Sequence, residues 1–140
     1  MQVRKATQED WRRGLKECLE QFGPCHIYDN DVHEYMLARA EVGIATLVAV
    51  EGVKVVGTAS YFTEPKLIHD GRPVGHIEDV ATLPAHQRQG IAGELLKYIE
   101  KSCRNRQCYK LILNCSDEMI PFYEKFGFKR DGAGMRKNLA

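Results

Sequence analysis

The chain has 140 residues, 44% hydrophobic and 28% charged, with 20 basic and 19 acidic side chains and a formal charge of +1. That length supports one continuous core rather than two, so a single domain over residues 1–140 is expected, and the balanced charge excludes a sequence-independent pull toward nucleic acid or anionic membrane. The five cysteines (Cys18, Cys25, Cys103, Cys108, Cys115) show no C-x-x-C spacing, which argues against a disulfide framework or a metal site.

Gln2 to Ala6 reads as a short strand, after which Thr7 N-caps a helix carrying Trp11, Leu15, Leu19 and Phe22 on one face. Gly23-Pro24 ends it. A weaker helical stretch, Val32 to Ala40, leads to two β-rich runs, Ala45 to Val50 and Val53 to Phe62, joined by the tight turn Glu51-Gly52. Glu64 to Pro73 is a polar connection, and Gly75 to Leu83 is a strand that stops at Pro84. From Ile91 the period changes: Leu95, Leu96, Ile99 and Cys103 recur at helical spacing. Tyr109 to Cys115 is a nearly continuous apolar run, the pattern of a strand covered on both faces, with Cys115 as a buried small residue rather than a nucleophile. Ser116 or Asp117 caps a helix that begins just before Pro121, and Gly127 stops it. Two short strands near Phe128 and Met135 complete the expectation of a mixed α/β sheet with helices on its faces.

The strand Val80 to Leu83, followed by a short polar loop and a glycine-bearing helix start, is an arrangement suited to phosphate. Unpaired N–H groups at a helix N-terminus point outward, and small residues let a pyrophosphate approach them. Arg88 adds charge. The loop lacks the Gly-Lys-Ser/Thr ending of a nucleotide P-loop and the G-x-G-x-x-G of a dinucleotide fold.

Gln87-x-x-Gly90-x-Ala92 resembles the acetyl-CoA signature of the GNAT acetyltransferase superfamily, and Pro121-Phe122-Tyr123-Glu124-Lys125-Phe126-Gly127-Phe128 resembles its second signature. Gly57 to Ser60, Lys66-Leu67-Ile68-His69, Gly75 to Val80 and Cys108-Tyr109-Lys110 are similar to one branch, the glucosamine 6-phosphate N-acetyltransferases. The resemblance implies an α/β (α+β) GNAT fold: a mixed, mostly antiparallel, twisted sheet of roughly six to seven strands with about four helices. Its central strands splay to admit the thioester of acetyl-CoA, with the amine entering from the other side. It implies an intertwined homodimer, direct acetyl transfer to an amino sugar phosphate, a place in UDP-N-acetylglucosamine synthesis and no metal.

On this resemblance Val80, Ala81, Thr82, Arg88, Gln89, Gly90, Ile91, Ala92, Gly93, Tyr123 and Lys125 contact acetyl-CoA. Tyr123 protonates the departing thiolate, and the Val80 N–H polarises the carbonyl. Glu78 and Asp79, consecutive on a strand, point to opposite faces unless a bulge intervenes, so one of them most easily faces the amine. Lys66, His69, Lys110 and Lys137, or Arg136 beside it, supply cations for a sugar phosphate. Asn114 stands where the family usually carries an acidic residue; its amide accepts a hydrogen bond from an amine but cannot take its proton. His26, His33, His76 and His86 have no spaced partners that suggest a role. The alternatives are a GNAT enzyme for another amine and a non-catalytic acyl-CoA-binding sensor. No run approaches a membrane span and the first residues lack a signal-peptide pattern, so a cytoplasmic protein with small-molecule partners is expected.

Overall fold

The structure is a computed structural model describing residues 1–140. It contains a five-stranded sheet: β1 (Gln2–Lys5), β2 (Ala45–Glu51), β3 (Lys54–Glu64), β4 (Val74–Thr82) and β5 (Lys110–Ile112), whose spatial order follows the chain order. The first three pairings are antiparallel and β4–β5 is parallel. Four α-helices complete it: α1 (Leu15–Leu19), α2 (Val32–Glu41), α3 (Ile91–Asn105) and α4 (Ile120–Glu124).

The alternation of apolar residues along the strands feeds two cores, one on each face. Leu47, Ala49, Val56, Ala59, Tyr61 and Ile77 pack with Leu95, Leu96 and Ile99 of α3 and with Tyr123 of α4. Val48, Val50, Val55, Ala81 and Leu83 pack with Trp11, Leu15, Cys18 and Val32, placing α1 and α2 on the opposite face. Each large apolar side chain so buried contributes about 1.5 to 3 kcal/mol. Arg39 pins α2 to the sheet, donating from Nε to Thr46 Oγ1 (3.3 Å) and from Nη2 to Ser60 Oγ (2.7 Å).

Three expectations are corrected. The helix from Thr7 to Phe22 is broken at Gly14, whose φ of +136° and close approach to the Val55 backbone leave a 3-10 turn at 8–11 and the short α1. Trp11 and Leu15 are buried as the helical pattern required, but Phe22 lies past the end of α1 and is 60% exposed. The apolar run from Tyr109 to Cys115 forms only a three-residue strand, with Leu111, Ile112 and Leu113 half-buried and Cys115 exposed. Pairing lapses there because β4 and β5 diverge, which opens a cavity beside the run. The strands expected near Phe128 and Met135 do not form. Residues 129–140 are exposed throughout, so the sheet has five strands rather than six or seven.

Candidate active site

Two departures from regular β-structure lie side by side on β4. On the β3 side, Thr58 pairs with Ala81 and Ser60 with Glu78, so Asp79 and Val80 together face the single residue Ala59. Asp79 adopts φ +52° at this bulge. The bulge is the circumstance that frees Glu78 and Asp79 from strict alternation, and both are exposed. On the β5 side, pairing covers only Val74 to His76. Beyond His76 the two strands part, and that edge of β4 loses its strand partner at the bulge.

The gap opens on a cavity of about 1020 Å³ lined by residues from both faces of β4. Glu78 and His76 of β4, Lys110 to Asn114, Leu96 and Cys103 of α3, and Tyr123, Phe126 and Phe128 line it. Tyr123 is 7% exposed, edge-on to Phe122 and Phe128. Burial, with a smaller contribution from Cys115, pushes its phenol above the ordinary value, so it stays protonated and able to donate at neutral pH. Gly134 of the chain's last segment passes Asn114, where a Cβ would stand 3.7 Å from Asn114 Oδ1.

The loop before α3 is built for an anion. Arg88 (φ +64°) and Gly90 (φ +80°) are both left-handed, and the backbone N–H groups of Arg88 through Gly93 donate to no backbone or side-chain acceptor within the protein. A Cβ on Gly90 would meet nothing within 4 Å, so its open side is available to a ligand. A run of free donors at a fifteen-residue helix N-terminus fits a pyrophosphate, and these residues therefore suit the diphosphate of coenzyme A.

A polar chain runs beside the cavity on the face of His76 and Glu78. Glu64 accepts from Lys66 Nζ at 3.1 Å and contacts His76 Nε2 at 2.9 Å; His76 first, then Lys66, hold its carboxyl below the usual value. His76 stacks on Phe62, centroids 4.5 Å apart and planes 5° apart. His69 stacks on Tyr109 at 4.0 Å, and Lys110 Nζ lies 5.6 Å from that ring's centroid.

The fold thus gathers Glu78, Lys110, Asn114 and Tyr123 around one cavity; Lys66 and His69 do not line it but adjoin residues that do, Lys66 through Glu64 to His76 and His69 by stacking on Tyr109. Asp79 and Val80 sit at the bulge, and Ala81 and Thr82 continue β4 toward the loop of Arg88 to Gly93. Lys125 follows α4 on the exterior. Lys137 is exposed in the last segment, where Arg136 hydrogen-bonds only Asn138. The sequence reading left out His76 and Glu64. The signal was present in part: His76 and Glu78, two apart on a strand, share a face.

The chain matches the Acetyltransferase (GNAT) family over residues 3–128, and it belongs to that family. Among individual proteins it is similar to the glucosamine 6-phosphate N-acetyltransferase of Trypanosoma brucei brucei, 41% identical over 86 residues covering 61% of this chain and 58% of that protein. The enzyme of the same name from Schizosaccharomyces pombe is 40% identical over 88 residues, covering 63% and 79% of the two chains. The aligned part spans little more than half of the first two relatives, 58% and 54% of their lengths. A Trypanosoma brucei acetyltransferase structure superimposes with a TM-score of 0.92 at 31% identity, covering 99% of both chains. The glucosamine-6-phosphate N-acetyltransferase of Arabidopsis thaliana gives 0.93 at 27% identity, covering 99% of this chain and 98% of that one.

Proposed function

We propose that this protein transfers the acetyl group of acetyl-CoA to the 2-amino group of glucosamine 6-phosphate, giving N-acetylglucosamine 6-phosphate and free coenzyme A. The observation that carries the reading is the one cavity at the gap between β4 and β5 that both the exposed carboxylate of Glu78 and the buried phenol of Tyr123 line. The amine and the thioester meet there from opposite sides. The free N–H groups from Arg88 to Gly93 hold the pyrophosphate, the unpaired edge of β4 near Val80 supplies a backbone donor for the carbonyl oxygen, and Tyr123 protonates the sulfur. Glu78 hydrogen-bonds the sugar, with Asp79 beside it at the bulge. Lys110 reaches no carboxylate and is free to take the phosphate, flanked by His69. Lys66 is already neutralised by Glu64 and helps order the loop. Lys125 lies beside the cofactor's outer end, and Lys137 reaches substrate through a partner subunit.

The reading extends to a homodimer, because β5 has a strand partner on one edge only and the segment 129–140 is free to cover another surface. It extends to the cytoplasm and to UDP-N-acetylglucosamine synthesis, where this product is consumed. No helix is long and apolar enough to cross a membrane. Asn114 favours a second reading, an acyl-CoA-binding protein without turnover, since an amide removes no proton.

The deciding experiment follows coenzyme A release with a thiol reagent, supplying acetyl-CoA with glucosamine 6-phosphate, glucosamine or other amines. Release that requires the phosphate supports the proposal. Release with another amine alone overturns the substrate, and acetyl-CoA binding without release for any amine supports the second reading.

A further inference from the structure

The amine must lose its ammonium proton before it attacks, and Asn114 cannot receive it. Two proton-accepting side chains on β4 line the acceptor side of the cavity, Glu78 and His76. Glu78 is exposed and has no protein partner that aims it. His76 is different: its side chain is 21% exposed, its ring lies flat on Phe62, and its Nε2 is 2.9 Å from Glu64 Oε1. A carboxylate at that nitrogen favours the tautomer with the proton on Nε2, leaving the Nδ1 lone pair to accept. The arrangement is that of a base fixed by an orienting third group. His76 shares the face of Phe62 and Glu78, opposite Ile77, which is buried toward α3. Of the charged groups on this face, Glu64 contacts it directly and Lys66 reaches it through Glu64; Glu78 follows on the same strand, Lys110 starts β5, and Arg39 of α2 bonds Ser60, the residue paired with Glu78.

We infer that His76, oriented by Glu64, is the base that deprotonates the acceptor amine, directly or through one water, in place of an acidic residue at position 114. This rests on the acetyl-transfer reading. The ammonium gives one proton to His76 Nδ1, which passes it to solvent. The freed nitrogen lone pair forms the C–N bond to the acetyl carbonyl carbon and the C–S bond breaks. Tyr123 gives its proton to the sulfur, and the second proton shed by the nitrogen restores Tyr123 through solvent. Glu64 touches no reacting atom and is a positioning residue.

Two measurements on the whole protein test this. Nitrogen-15 NMR of the histidine rings, recorded without substrate at mildly alkaline pH, is expected to show His76 protonated at Nε2 and bare at Nδ1; the opposite tautomer overturns the inference. Kinetically, His76→Gln is expected to lower kcat by about 10²- to 10⁴-fold with KM for acetyl-CoA unchanged, and Glu64→Gln by about tenfold. Asn114→Asp added to His76→Gln restores part of the lost kcat, which a purely structural role for His76 does not allow. A kcat for His76→Gln within about twofold of the parent overturns the assignment, as does a folded double variant with no recovery. Should His76→Gln fail to fold, the tautomer and the Glu64→Gln kinetics decide. If the unaltered protein acetylates a different amine, the substrate reading alone fails, and the same variants are assayed with that amine.

Discussion

Phe126 lies against the Cα of Gly93: a Cβ added at position 93 would come within 2.9 Å of Phe126 Cζ. This contact locks the first turn of α3, where the free N–H groups are, to the turn two residues past the end of α4, the helix that carries Tyr123. The proposed pyrophosphate loop and the proposed acid are thereby set at a fixed separation. Gly93→Ala is expected to destabilise the protein by about 1 to 3 kcal/mol through overpacking. Phe126→Leu in the same chain should return part of that loss. Thermal melts of the two single variants and the double variant check the coupling, and additive effects would show that the two residues do not communicate.

Tyr123→Phe keeps the packing on Phe122 and Phe128 and removes the proton. The expected result is a kcat lower by about 10²-fold or more with acetyl-CoA affinity little changed. The pH dependence has a definite sign. Burial first, and the Cys115 charge second, raise the phenol, so the neutral, donating form persists beyond the ordinary tyrosine value of 10.0 and activity falls only as pH rises through the higher one. Cys115→Ala removes the secondary contribution and should move that alkaline limb downward. A limb unmoved by Cys115→Ala and present in Tyr123→Phe would belong to another group.

Gly90→Val places a β-branched side chain at φ +80°, which costs about 1 to 2 kcal/mol of backbone strain. Because nothing of the protein lies within 4 Å of that Cβ, the larger effect falls on the ligand that occupies the space. Calorimetric titration with coenzyme A should show a weakened Kd for Gly90→Val, with kcat at saturation less affected. Undiminished binding would remove the loop from the donor site.

How much of this was legible in the sequence depended on whether a feature was local. The helix α3 and the hairpin of β2 and β3 followed from apolar period and the Gly52 turn, because these elements are stabilised along their own length. The break at Gly14 was not legible, since the reason for it is the Val55 backbone, forty-one positions away. The Tyr109 to Cys115 run misled because its apolar side chains line a cavity instead of a second layer. Glu78 and Asp79 were placed at the site by resemblance and left ambiguous by alternation; the bulge opposite Ala59 interrupts that alternation, and of the two only Glu78 lines the cavity. His76 was passed over because its partner, Glu64, comes from another strand.

Asp10 is fully buried, taking Arg4 Nη1 at 2.7 Å and Nη2 at 2.9 Å, with the Thr7 N–H at 2.7 Å. Burial alone would raise its carboxyl; the Arg4 hydrogen bonds, the Thr7 N–H and the Arg4 charge outweigh it and leave the value below 3.8. A depressed folded value means the stabilisation is complete above the unfolded value and is lost as pH falls through the folded one. Asp10→Asn is therefore expected to cost about 2 to 3 kcal/mol at neutral pH and to flatten the acid end of the stability profile. Urea melts across pH measure both, and a variant as acid-sensitive as the parent would place that sensitivity elsewhere.

The strand order has a bearing on how the chain is made. β1 through β4 are neighbours in the order in which they are written, so every pairing among them is available once residue 82 has left the ribosome. The parallel pairing of β5 requires α3 to be complete and to cross over the sheet first. The first four strands, which carry Glu78 and the bulge, can thus assemble early from contacts between strands that are neighbours in sequence, and β5 closes onto them last, leaving the gap between β4 and β5 as the final seam of the fold.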